Sequence, residues 1–148
     1  MRYLGLDLGT KTLGISISDK TGMIASSLTI LRHNEEYDAL LDALEDIIKD
    51  NEVEGLVLGL PKNMNNTIGE RAEIALKFKD MLEERFKLPV YMQDERLSTK
   101  EAENMLIKND TSRKKRKKVI DSLAATIILQ SYLDRKGWKI WKKILLKW

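Results

Sequence analysis

Residues 3–18, YLGLDLGTKTLGISIS, contain two short apolar runs on either side of a turn. The runs are Tyr3–Leu8 and Leu13–Ser18, and Gly9-Thr10 is the turn signal between them. A third extended run, Met23–Ile30, follows a Lys-Thr-Gly turn signal. Extended runs joined in succession by short turns predict an antiparallel meander.

Helical and extended patterns alternate after this meander. The order βββαβαβαα predicts an α/β protein with a five-stranded mixed sheet, first antiparallel and then parallel, flanked by helices. The predicted elements after the meander are a helix over Glu35–Lys49, a strand over Leu56–Leu60, a helix opened by a capping box at Thr67 and Glu70, a strand over Val90–Met92, a helix from the Ser98 capping box to Lys108, and a helix over Val119–Leu133.

The chain has 148 residues and no cysteine. This length suffices for one domain with its own apolar core, and the lack of cysteine excludes disulfides, thiolate nucleophiles and Cys-ligated zinc. The first predicted strand begins at Tyr3, which leaves no room for a signal peptide, and polar residues interrupt the apolar stretch Leu123–Leu133. We therefore expect a cytoplasmic protein without a membrane-spanning segment.

Charge is distributed unevenly along the chain. The net charge is +3, but residues 113–148 carry 12 Lys and Arg against two acids, a net of +10, which leaves 14 basic and 21 acidic residues, a net of −7, for residues 1–112. A polyanionic partner would therefore contact the C-terminal part. We expect residues 1–136 to form the domain and residues 137–148 to be a basic, Trp-rich tail that is dispensable for folding.

Asp7 is the one charged residue in the apolar run Tyr3–Leu8, and Gly9 follows closely. This pattern places a carboxylate at the end of a buried strand beside a flexible turn, where a metal ligand can reach a substrate. The alternative is that Asp7 caps the turn by accepting hydrogen bonds from nearby backbone N–H groups. Asp7 alone does not decide between these roles.

Two further carboxylates occupy comparable positions. Glu95 follows the predicted fifth strand, at the edge where ligands of open α/β sheets bind, and the alternative is a surface cluster with Arg96. Asp94 is a weaker candidate, because neighbouring strand residues point to opposite faces. Asp121 points toward the packed side, where a metal, a cation or the helix N-terminus would have to compensate its charge. Its neighbours on the same helical face are Ala124, Ala125 and Ile128.

Asp7, Glu95 and Asp121 together supply the oxygen ligands that a hard divalent cation needs, with positions left for water and phosphate oxygens. We expect Mg²⁺ or Mn²⁺, and two such ions can activate the attacking water and stabilise the leaving oxygen of a phosphodiester. The two small residues Ala124 and Ala125 would let their helix approach the sheet and bring Asp121 toward Asp7. The single histidine, His33, lies in a loop and is expected to be structural or exposed.

Basic residues adjoin these carboxylates. The unbroken run Arg113–Lys118 ends three residues before Asp121, where it would position a phosphate backbone, and the alternative is a solvated loop. A polar loop with Lys62 precedes a predicted helix N-terminus, which is a natural anion site. The predicted nucleic-acid contacts are Lys11, Lys62, Arg96, Arg113, Lys114, Lys115, Arg116, Lys117 and Lys118.

The tail places Trp138, Trp141, Leu145 and Trp148 at three- and four-residue spacing, with lysines between them. Packing of this face onto the domain is the first interpretation. A nucleic-acid platform or a partner-binding helix is the second, and a membrane-surface helix is the third.

The sequence resembles the YqgF family, described as Holliday junction resolvases and as nucleases that finish the small-subunit ribosomal RNA precursor. The resemblance covers residues 1 to about 134 and implies a ribonuclease H-like fold, metal-dependent nuclease chemistry and an acidic triad of Asp7, Glu95 and Asp121. The matching segments are GLDLGTK (5–11) with Gly14 and Ser18-Asp19, GLPKNM (59–64), DERLST (94–99), and DSLAA (121–125) with ILQ (128–130).

Two positions depart from the family pattern, and a third departs from that of other resolvases with this fold. Thr12 stands where the family often has Arg, and Asn66 where it often has Gly, so the phosphate contacts in those turns differ. Better-studied resolvases of this fold have a fourth acidic or histidine ligand three residues after the last aspartate, and this chain has Ala124 there. Whether one or two metal ions bind therefore stays open.

These observations predict a nuclease that acts on structured nucleic acid, either at the 5′ end of pre-16S rRNA or on branched DNA such as Holliday junctions. The sequence does not separate RNA from DNA, or a monomer from a homodimer. A non-catalytic nucleic-acid-binding module with a degenerate site is the alternative from another class. The segment Gly5–Gly14 also fits the phosphate loop of an actin-like or sugar-kinase ATPase, but that fold needs a second, similar domain for which this chain is too short.

Overall fold

The computed structural model describes residues 1–61, 68–94 and 113–147, without the side chains of residues 113–122. Strands dominate the first third of the chain, and helices alternate with strands after it. The regular elements of the described residues are β1 (Tyr3–Leu8), β2 (Thr12–Ser18), β3 (Ala25–Arg32), α1 (Tyr37–Asp50), β4 (Gly55–Leu60), α2 (Glu70–Phe86), β5 (Val90–Asp94) and α3 (Arg113–Leu145).

The strands form one sheet in the order β3-β2-β1-β4-β5. β1 and β2 pair antiparallel, as do β2 and β3, whereas β4 pairs parallel with both β1 and β5. This confirms the predicted mixed sheet. β1 lies at its centre, and its sequence is almost wholly apolar because both faces of a central strand are covered.

Alternation along β1 divides the core into two layers. Leu4 and Leu6 pack with residues of α1 and α2, among them Phe78, in the larger apolar cluster. Tyr3 points to the opposite face and packs with Leu129 of α3 in a second cluster. The sheet is therefore covered by α1 and α2 on one face and by α3 on the other.

α1 begins two residues later than the predicted start at Glu35, because Glu35 has a φ of 63°, in the left-handed region. A residue other than glycine in this region costs on the order of 1–3 kcal/mol. The backbone N–H of Glu35 donates a hydrogen bond of 3.1 Å to Nδ1 of His33, which offsets part of this cost.

The capping-box prediction for the second helix is wrong. α2 begins at Glu70 with Gly69 as its N-cap, so Glu70 is the first helical residue and not the third. Glycine has no side chain to cap the helix, and two acids in the first turn, Glu70 and Glu73, compensate through the helix dipole. The helix predicted over Ser98–Lys108 lies outside the described residues.

α3 extends beyond the predicted Val119–Leu133 at both ends. The basic run Arg113–Lys118 forms its first turns, so the interpretation of this run as a loop is wrong. Lys and Arg are good helix formers, and the helix also continues through Gly137 at a cost of about 1 kcal/mol relative to alanine. Neither α3 nor any other described helix is apolar enough over its length to cross a membrane.

Candidate active site

Parallel strands bring three segments of the chain to one edge of the sheet. β1, β4 and β5 run in the same direction, so their carboxyl ends meet there. Asp7 is the penultimate residue of β1 and is half-buried. Asp94, the last residue of β5, pairs with Leu60 of β4. Glu95 follows Asp94 in the chain and lies outside the described residues.

The turn after Asp7 is held from two directions. The Arg71 guanidinium of α2 donates a hydrogen bond of 2.8 Å to the backbone oxygen of Leu8. Nε2 of His33 lies 3.0 Å from the backbone oxygen of Gly9, and the N–H of Gly9 closes the turn on the Thr12 oxygen at 2.8 Å. These contacts fix the backbone on the C-terminal side of Asp7.

His33 is structural, as expected from the sequence. Its side chain is buried, and its backbone N–H also donates to the Lys11 oxygen at 2.9 Å. Since Nδ1 accepts the N–H of Glu35, the neutral ring carries its proton on Nε2 and donates it to Gly9. The role of Arg71 was not predicted, because one arginine in the first turns of a helix carries no local signal of a contact 63 residues away.

α3 approaches β1 very closely at Gly5. A Cβ atom on Gly5 would lie 2.6 Å from Cβ of Leu129 and 2.9 Å from the backbone oxygen of Ala125. The Ser16 hydroxyl of the adjacent strand β2 donates a buried hydrogen bond of 2.7 Å to that same Ala125 oxygen. Absence of a side chain at Gly5 is thus the condition for this helix–sheet contact.

The direction of α3 follows from its contacts along β1. Tyr3 meets Tyr132, with ring centroids 5.8 Å apart, whereas Gly5 meets Ala125 and Leu129. α3 therefore runs antiparallel to β1, and its earlier turns extend toward the edge of the sheet where Asp7 lies. Asp7 lies on the same face of β1 as Tyr3 and Gly5, the face that α3 covers, because it follows Gly5 by two positions.

Asp121 precedes Ala125 by four residues, which is about one helical turn. The backbone of residue 121 is helical, while its side chain lies outside the description. Because α3 begins at Arg113, residue 121 is beyond the first turn, whose N–H groups lack intrahelical partners. The proposal that the helix N-terminus compensates Asp121 is therefore wrong.

The predicted nucleic-acid contacts are only partly described. Lys11 is exposed in the turn that follows Asp7. The cations of Arg113–Lys118 lie on the same helix as Asp121, whereas Lys62 and Arg96 fall outside the described residues. Among the described side chains, no three His, Cys, Asp or Glu residues group together, and two of the three predicted ligands are not among them.

Asp19, which belongs to the family-like segments, has a structural role far from Asp7. It accepts hydrogen bonds from the N–H groups of Ile24 and Met23 at 3.0 and 2.9 Å, and from the hydroxyl of Thr21. The Ile24 bond, the Thr21 bond and the Met23 bond, in this order, lower the pKa of Asp19 far below its usual value. Asp19 thus stabilises the turn between β2 and β3.

Comparison with known proteins identifies close relatives in sequence. The model of the RuvX family, described as Holliday junction resolvase, matches residues 1–135. A protein of Ligilactobacillus salivarius is 54% identical over 138 residues, which cover 92% of this chain and 94% of that protein. One from a Geobacillus species is 55% identical over 137 residues, covering 92% and 99%. Both relatives bear the name "Putative pre-16S rRNA nuclease".

Solved structures confirm the fold. Thermus thermophilus RuvC in complex with a Holliday junction substrate matches with a TM-score of 0.56 at 14% identity, over 93% of this chain and 96% of RuvC. The fowlpox virus resolvase in complex with Holliday junction DNA matches with a TM-score of 0.54 at 14% identity, over 91% and 98%. These matches confirm the ribonuclease H-like fold.

The sequence matches also confirm the YqgF resemblance, and they confirm the predicted nuclease class at the level of the family. The family model spans every segment on which the resemblance rests, and the two relatives align over almost their whole length. This chain belongs to the RuvX family, the family described as Holliday junction resolvase.

Proposed function

We propose that this protein is a metal-dependent endonuclease that cleaves phosphodiester bonds in structured RNA, with Asp7, Glu95 and Asp121 as the metal ligands. The observation that carries the proposal is the contact of α3 with Gly5. Asp7 lies two residues after Gly5 on β1, and Asp121 lies about one helical turn before Ala125 on α3. Glu95 directly follows Asp94, the last residue of β5, in the chain.

This donor set fits a hard divalent cation. Three carboxylates supply oxygen ligands and leave positions for phosphate oxygens and water, as Mg²⁺ and Mn²⁺ require. The half-buried state of Asp7 suits a ligand that must be shielded on one side and reach substrate on the other. When bound, such an ion activates water and stabilises the charge that develops on the leaving oxygen.

The protein's own residues orient the site and the substrate. Arg71 and His33 hold the turn behind Asp7, so the backbone that carries this carboxylate is held in place. Lys11 in that turn and the cations of Arg113–Lys118 would contact phosphates and position the scissile strand. Arg71 brings a further positive charge to the α2 side of the same edge.

The names of the relatives favour RNA as the substrate. The two relatives described above, at 54% and 55% identity, are named for pre-16S rRNA, whereas the two resolvases solved with junction DNA are 14% identical. We therefore propose processing of the 5′ end of pre-16S rRNA. Resolution of branched DNA is the second candidate, because the description of the matching family names that substrate.

The test compares Asp7→Asn with Asp46→Asn, an equivalent change at an exposed aspartate of α1. Precursor 16S rRNA, a four-way DNA junction and duplex DNA are each incubated with Mg²⁺ or Mn²⁺. Asparagine keeps the size of Asp7 but weakens metal coordination. We expect Asp7→Asn to abolish cleavage while metal-free binding stays equal or rises slightly, and Asp46→Asn to cleave as the parent does.

Each outcome of this test has a defined meaning. Equal cleavage by Asp7→Asn and the parent contradicts the metal-nuclease proposal. Tight binding without cleavage of any substrate by the parent supports the non-catalytic binding module instead. Cleavage of the junction alone replaces RNA by branched DNA as the substrate.

A further inference from the structure

The last three turns of α3 project beyond the sheet as a continuous helix. The helix runs to Leu145 without a break at Gly137, where a Cβ atom would meet nothing within 4 Å. Lys136, at the start of this segment, contacts the hydroxyl and the ring of Tyr3. The projecting segment lies beyond residue 135, where the family model ends.

This segment exposes tryptophan among cations. Trp138 is 54% exposed and Trp141 is 56% exposed, so the domain covers only about half of each side chain. The cations Lys139, Lys142 and Lys143 alternate with them, and the ammonium of Lys142 lies 5.4 Å from the centre of the Trp138 ring. No acid occurs between residues 135 and 148.

A cleft lies between this helical segment and the turn that joins β2 to β3. Its volume is about 540 Å³, and its walls include Met1, Gly22, Met23, Trp138 and Trp141. Met23 is 69% exposed, so an apolar wall faces solvent across from the indoles. Cations beside an apolar cleft offer contacts for phosphates and for bases at the same place.

We propose that this surface, defined by Trp138, Lys139, Trp141, Lys142 and Lys143, is a second nucleic-acid contact that binds the part of the substrate flanking the cleavage site. The inference rests on the proposed function for the identity of the substrate. The charged residues of this surface are all lysines, so it attracts a polyanion and repels a second copy of the same surface. Exposed indoles among lysines are also the combination that stacks on bases while neutralising the backbone.

The helix sets the distance between the two contacts. From residue 121 to Trp138 is 17 helical residues, or about 25 Å at 1.5 Å per residue. This length corresponds to roughly seven nucleotide steps at the B-form spacing of 3.4 Å, and to a few more in an A-form RNA stem, which rises less per step. A substrate that extends less than this beyond the cleavage site cannot reach the tail surface, whereas a longer one can.

Intrinsic fluorescence tests the proposal directly, because all three tryptophans of the chain lie at positions 138, 141 and 148. The full chain is titrated, without metal, with RNA hairpins whose stems extend about four or about 15 nucleotides past the cleavage site. We expect saturable quenching of tryptophan emission with the long extension and little change with the short one. Vesicles of phosphatidylglycerol and phosphatidylcholine in equal parts form the lipid arm.

Two variants connect this signal to affinity. Joint replacement of Trp138 and Trp141 by alanine should weaken binding of the long hairpin by about fivefold or more, since base stacking contributes at that level, and leave the short hairpin unchanged. Lys139→Ala should lower the slope of log affinity against log salt by roughly 0.7–0.9 for the long hairpin. Lys77→Ala, at an exposed lysine of α2, is the matched control and should leave the slope unchanged.

Quenching and affinity that do not depend on extension length overturn the proposal, as does a spectral change with vesicles but not with RNA. These readouts need neither metal nor cleavage. If the enzyme cleaves but the tail does not respond, the second contact is wrong and the proposed function stands. If the tail responds but Asp7→Asn cleaves normally, the second contact stands and the proposed function is wrong.

Discussion

Gly5→Ala is the change that most directly probes how the candidate site is built. The new methyl group would clash with the Ser16 hydroxyl and would lie 2.6 Å from Cβ of Leu129 and 2.9 Å from the Ala125 oxygen. The hydroxyl can rotate away, but the helix backbone cannot. α3 must therefore move off the sheet, and Asp121 must move with it relative to Asp7.

The cost can be worked from these contacts. Overpacking a buried contact costs about 1–3 kcal/mol, and loss of the buried bond from Ser16 to the Ala125 oxygen adds roughly 1 kcal/mol. We expect the free energy of unfolding to fall by about 2–4 kcal/mol, which lowers Tm by roughly 5–15 °C for a chain of this size. Cleavage measured well below that temperature should fall about a hundredfold, the effect of misplacing a catalytic group by about 1 Å.

Urea unfolding followed by circular dichroism measures the first effect, and a cleavage assay on folded protein measures the second. Gly137→Ala is the matched control for stability, since its methyl group meets nothing within 4 Å. It should raise the free energy of unfolding by about 0.5–1 kcal/mol, because alanine is the better helix former. If Gly5→Ala unfolds and cleaves like the parent, the close contact does not set the position of α3, and the reasoning that places Asp121 beside Asp7 fails.

Three further predictions concern other parts of the molecule. Arg71→Met removes the donor to the Leu8 oxygen, so cleavage should fall by about tenfold or more. Lys79→Met on the same helix is the control and should leave cleavage unchanged. Equal cleavage by the two variants would exclude a role of Arg71 in positioning Asp7. Burial raises the pKa of Tyr132 to about 12, so between pH 10 and 12 this tyrosine loses its proton in the unfolded state but keeps it in the folded state. The free energy of unfolding of the parent, measured in urea, should therefore fall over this range, and that of Tyr132→Phe should fall less. Identical pH profiles of the two proteins would contradict this. A chain truncated after Lys136 should still unfold cooperatively, and loss of cooperativity would show that the tail is needed for folding.

The strands were predictable because their patterns are local. Tyr3–Leu8 has the bounds predicted from its apolar run, and the other strands differ by one or two residues at their ends. A turn such as Gly9-Thr10 and an unbroken run such as Leu56–Leu60 act over a few residues, so neighbouring side chains suffice to define them. Order along the chain then limits the sheet to a few topologies.

The bounds of the helices were less accessible, because distant contacts decide them. The start of α1 depends on the His33 ring, which holds Glu35 in a left-handed conformation. α3 begins at Arg113, whereas an unbroken basic run is more typical of a loop. Thr67 and Glu70 match a capping box in sequence, but the N-cap of α2 in the structure is Gly69.

Sequence by itself determined the fold class, the nuclease family and which carboxylates are candidates, since these depend on residue types in a fixed order along the chain. Tertiary structure decided which groups hold the turn after Asp7 and how closely α3 approaches the sheet. The bond from Arg71 to Leu8 spans 63 residues, and that from Ser16 to Ala125 spans 109. Such contacts have no local signature, because their geometry exists only after the strands and helices have packed.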